Sequence, residues 1–120
     1  MKKVTAKKVE RLRKAIWDYL EEKIRKPEVE FFGSDHAKGG RWDPLADVRI
    51  RPSATSGVDL FSTADLELYY DGAGHDHLSP AGGTPETAEK HQSALSELAR
   101  KLDFFAEEYD STSLAFYYEG

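Results

Sequence analysis

Three of the four histidines lie in two glycine-rich stretches, beside aspartates. Residues 34–45 carry Asp35, His36 and Asp43. Residues 71–83 carry Asp71, His75, Asp76 and His77. Imidazole nitrogens and carboxylate oxygens together suit zinc or another divalent cation. In an extended segment His75 and His77 project to the same side. Their rings can then share an ion, with His36 or Asp71 as a further ligand. This spacing matches no metal-site template. Solvated turn residues are the simpler reading, because Asp and Gly favour turns. No cofactor is expected, and metal-dependent activity at His36, Asp71, His75 and His77 is kept as an alternative.

A carboxylate-oriented imidazole is also what general acid–base catalysis needs. No nucleophile motif accompanies it. Ser34 and Ser79 are nearby, but no GxSxG is present. The chain is therefore expected not to be an enzyme. The fourth histidine, His91, falls within the apolar stripe of a helix and is expected to be a hydrogen-bonded core residue.

The N-terminal segment offers different chemistry. Residues 1–26 hold 10 basic and 4 acidic side chains, about +6, whereas the other 94 residues hold 7 and 18, about −11. Such a split bears on which partners are attracted and how they are steered. The excess sits in residues 1–14, where cations near a helix N-terminus oppose its dipole. Lys7, Lys8, Arg11 and Lys14 are the residues through which this helix would contact phosphate, a second alternative. A net charge of −5 counts against nucleic acid as the main partner.

These groups must be positioned by secondary structure. Val9, Leu12, Ile16, Leu20 and Ile24 recur at helical spacing, so residues 5–26 predict a helix ended by Pro27. Glu10–Lys14, Glu21–Arg25 and Glu22–Lys26 are spaced for ion pairs along it. Residues 28–33 read as a strand. Alternating runs at 46–51, 58–62 and 64–70 predict half-buried antiparallel strands. Thr84 and Pro85 open a second helix. Its stripe is read as Leu95, Leu98, Leu102, Phe105 and Tyr109, with Phe104 off the stripe beside Glu97 and Glu108. Residues 112–119 close as a strand. The expected fold is a single α+β domain over residues 1–120. It is a two-layer sandwich of about five mostly antiparallel strands with two helices on one face, in the order α-β-β-β-β-α-β.

One sheet face is then left for recognition. Phe61, Asp65, Glu67, Tyr69, Tyr117 and Glu119 are expected there, with Arg49 and Arg51. Aromatic residues and Arg are enriched at interface centres. Cross-strand aromatic pairing is the purely structural account of the same residues.

Fourteen aromatics argue against disorder. The lack of cysteine excludes disulfides and thiolate chemistry. No apolar run is long enough to span a bilayer, and no apolar stretch follows the basic N-terminus as in a secretory signal. A cytoplasmic location is the expectation. Small acidic α+β domains lacking a catalytic signature include inhibitors such as immunity proteins and phage anti-defence proteins. The function expected is thus a non-enzymatic protein-binding module blocking a basic, nucleic-acid-handling partner. Self-association into a homodimer through the aromatic face or a strand edge is also open.

Overall fold

The structure is a computed structural model that describes residues 4–27, 30, 45, 48–52, 64–70, 77–79 and 85–119. Helix α1 spans Ala6–Leu20 and continues through a π-helical turn at Glu21–Arg25. Thr5 opens it with an extended backbone, and its Oγ1 accepts from the Lys8 N–H at 3.2 Å. Leu12, Ile16, Leu20 and Ile24 are fully buried. Apolar residues four apart drift by about 40° per step around an ordinary helix. The wider π-turn offsets that drift, which keeps Ile24 in line with the three residues before it.

Helix α2 spans Pro85–Lys101 and buries Ala88, His91, Leu95 and Ala99. Four strands form one antiparallel sheet: β1 (Arg49–Pro52), β2 (Leu66–Tyr69), β3 (Phe104–Asp110) and β4 (Ser113–Tyr118), in the order β1-β2-β4-β3. The expected α+β sandwich is what forms, with four described strands where about five were expected. The described elements run α-β-β-α-β-β. The strands expected at 28–33 and 58–62 fall outside the described residues or almost wholly so; Glu30 is helical.

One boundary differs from expectation. The apolar stripe of α2 does not extend to Phe105 and Tyr109, because the helix stops at Lys101. Its last turn tightens, with Leu102 N–H donating to Ala99 O and Asp103 N–H to Arg100 O. Asp103 then takes a left-handed backbone (φ 71°) and turns the chain into β3. Asp tolerates that region better than most residues. A two-residue turn at Ser111–Thr112 returns β3 into β4, with a register irregularity between Glu108 and Asp110.

Both helices cover the same sheet face. Leu66 pairs with Phe116 and Leu68 with Leu114 on that face. These four join Tyr70, Phe104 and the α1 and α2 residues in one buried cluster. Burying each large apolar side chain contributes roughly 1.5–3 kcal/mol. Polar contacts fix the layers. Lys8 Nζ donates to Tyr118 Oη at 2.6 Å, joining α1 to β4. Gln92 Nε2 donates to Leu78 O at 2.8 Å and to Glu108 Oε2 at 3.1 Å, joining α2 to the 77–79 segment and β3. No helix among the described residues is long and apolar enough to cross a membrane.

Candidate protein-binding face

Strand alternation sends every second residue away from the helices. The register puts Arg51, Glu67, Ala115 and Glu107 side by side on that outer face, with Arg49, Tyr69 and Ser113 in the next row. Phe105 and Tyr117 form the row on the other side. The Arg51 guanidinium lies 5.3 Å from the Tyr69 ring centroid. The face is therefore basic at its β1 end and acidic at its β3 end.

Its middle is closed to solvent. Glu67 is 3% exposed, and Ser113 and Ala115 are also buried. The accessible parts are Arg49 at the β1 end and the corner where β3 begins and β4 ends. Phe105, 40% exposed, is the exposed large hydrophobic residue among those described. Its ring stacks on half-buried Tyr117 at 5.0 Å between centroids and 17° between planes. Asp103, Glu107 and Glu119 are exposed around the pair. The Glu119 N–H donates to Asp103 O at 2.8 Å, which holds the two chain ends of this corner together.

The six residues expected to bind a partner therefore divide. Tyr69, Glu67 and Tyr117 share the outer face, but Glu67 is enclosed. Asp65 has a structural role: its Oδ2 accepts from the Tyr118 N–H at 2.8 Å. Glu119 is exposed beside the aromatic pair, and Phe61 lies outside the described residues. Sequence reasoning missed Phe105 and Asp103, and it placed Phe104 off the apolar stripe. In the fold Phe104 is fully buried and tilted against Tyr118 at 5.3 Å. Reading the segment as a strand exchanges the roles of the two adjacent phenylalanines, because a strand inverts sides at each residue. The available signal was the alternation of Phe105, Glu107 and Tyr109 against Phe104 and Ala106.

The basic stretch of α1 is similarly divided. Lys8 is committed to Tyr118, its Nζ 4.8 Å from the ring centroid as well as bonded to the hydroxyl. Lys14 pairs with Asp18 at 2.9 Å. Glu10 pairs with Arg13 (Nε to Oε2, 2.7 Å) instead of Lys14, and this bond lowers the Glu10 carboxyl pKa and raises that of Arg13. The pairs Glu21–Arg25 and Glu22–Lys26 form as expected, at 3.2 and 3.8 Å. Lys7 and Arg11 are exposed, one turn apart.

Of the residues considered for a metal, His36, Asp71 and His75 lie outside the described residues. His77 is half-buried near α2. No group of three potential ligands occurs among the described residues. His91 is buried, and its Nδ1 is 2.8 Å from the Tyr19 hydroxyl. Burial, then the fields of His77 and Lys90, lowers the His91 pKa. Burial raises that of Tyr19. This pair ties α1 to α2 within the helical layer, as expected of a core histidine.

No protein-family model, curated protein or solved structure matches this chain.

Proposed function

We propose that this chain is a non-enzymatic protein-binding module whose recognition patch is the β3–β4 corner. The observation that carries this reading is the Phe105–Tyr117 stack, in which exposed Phe105 lies on half-buried Tyr117, bordered by Asp103, Glu107 and Glu119. An aromatic anchor inside a charged rim is the common anatomy of a protein interface. The rim selects a basic partner and speeds its approach. The charge of about −11 carried after residue 26 adds long-range attraction of the same sign. Blocking a basic, nucleic-acid-handling protein, as an inhibitor of the immunity-protein or phage anti-defence type would, is the mode of action this chemistry favours. A cytoplasmic location accords with such a target.

The test is a map of amide shifts as polylysine, standing in for a basic protein surface, is added at low salt. Shifts gathered at residues 103–107 and 117–119, and abolished by Glu107→Lys with Glu119→Lys, support the reading. Shifts centred on the α1 acids Glu21 and Glu22, or unaffected by those substitutions, contradict it.

A further inference from the structure

The acidic corner described above is also one end of a strand edge. β3 is an outer strand of the described sheet. Successive residues of an antiparallel strand alternate between bonding the neighbour and pointing their N–H and C=O groups away from it. The Glu119 N–H to Asp103 O bond fixes the phase. Asp103, Phe105 and Glu107 turn their backbone groups toward β4. Phe104, Ala106 and Glu108 turn theirs to the outer side. The β4–β2 ladder has the matching phase, since Tyr70 N–H donates to Thr112 O. Among the described residues no backbone hydrogen bond crosses the outer side of β3.

We infer that β3 accepts an extended, basic segment of a partner protein as an added strand, paired to the outward groups of Ala106 and Glu108. This rests on the corner being a protein-binding surface, and it specifies how the partner docks. An added strand places alternate side chains on the outer face, next to Phe105 and Glu107. Lys or Arg beside exposed Glu107 and a β-branched or aromatic residue beside Phe105 complement that row. On the helix side the neighbour is Ala106, which leaves room for a small apolar residue. A second copy of this chain is a poor occupant. Two antiparallel β3 strands would bring Glu107 on the outer face, and Glu108 on the helix side, up against their own like charges in the second copy.

The test uses the isotope-labelled full chain and a capped peptide of alternating Lys and Val. Strand addition predicts that amide exchange at Ala106 and Glu108 slows by about tenfold or more on binding, because each gains a backbone partner. Phe105 and Glu107, already bonded to β4, change little. Methylating alternate backbone nitrogens on the pairing edge of the peptide should weaken binding by roughly tenfold, without touching the protein. Glu107→Lys should exchange the preference for Lys–Val for one for a Glu–Val peptide. Ala106→Pro removes one outward N–H and should also block pairing. The methylated peptide covers the case in which that variant is unstable.

Equal binding of the methylated peptide, with shifts at Phe105, Glu107 and Tyr117 only, overturns strand addition and leaves the patch reading intact. No binding of the Lys–Val peptide also overturns strand addition. The polylysine map then decides the patch reading separately.

Discussion

Phe105 stacks on Tyr117 across β3 and β4, nearly parallel at 17°, on the sheet face turned away from both helices. The preceding residue, Phe104, is fully buried on the opposite face. Two identical side chains, adjacent in sequence, thus hold unlike positions. One belongs to the core and the other to the surface on which recognition is proposed.

Their substitution costs should differ accordingly. Phe104→Ala leaves a cavity in a packed core and should destabilise by about 3–5 kcal/mol. Phe105→Ala loses a partly exposed ring pair and should cost about 1 kcal/mol. Urea unfolding of the two variants measures the difference. Similar costs would mean that the strand assignment, and with it the exposed stack, is wrong.

Asp65 provides a second contrast. Its carboxylate accepts from the Tyr118 N–H at 2.8 Å. Asp65→Ala should cost about 1–3 kcal/mol by leaving that donor without its partner. Asp65→Asn keeps an acceptor and should cost less. A result in which both are neutral would make Asp65 an ordinary surface acid.

The turn at Asp103 is a third. A β-branched residue fits poorly at φ 71°. Asp103→Val should destabilise by about 1–2 kcal/mol, whereas Asp103→Gly should not. Thermal unfolding of the pair checks this. Equal stability would show that residue 103 adopts another backbone conformation.

His91 sets a pH dependence. Burial holds its pKa below the ordinary value of 6.5, with His77 and Lys90 acting in the same direction. The unfolded chain therefore binds the proton more readily than the folded one. This contribution to stability is complete above pH 6.5 and declines as pH falls below that value. The Tyr19 hydroxyl is the polar group bonded to the ring. His91→Gln should flatten the stability profile on the acid side of 6.5, and chemical unfolding at a series of pH values measures it. An unchanged slope would show that His91 is not its source.

Much of this architecture was readable from residue spacing. Leu12, Ile16, Leu20 and Ile24 defined the buried side of α1, although the π-turn that keeps Ile24 in line with the others leaves no mark in such a pattern. Alternation around Ile50, Leu66 and Leu68 marked β1 and β2. The C-terminal limit of α2 was not readable, because Leu98, Leu102, Phe105 and Tyr109 sustain a helical spacing while residues 104–109 also alternate. Pairing with β4 decides between the two periods, and that is a tertiary effect. The enclosure of Glu67 was illegible for a related reason. Strand alternation assigns a residue to a face but does not say how much solvent reaches it. Choosing Glu10's cation also depends on rotamers, since both Arg13 and Lys14 are within reach of it on the helix.

The most direct measurement is affinity capture from an extract of the source cells, with wild-type protein and the Glu107→Lys, Glu119→Lys double variant side by side. The account predicts that wild type retains a basic protein, that raised salt weakens the retention, and that the double variant loses it. Retention of the same protein by both, with loss only on Lys7→Glu and Arg11→Glu, would contradict the account and move the binding surface to α1.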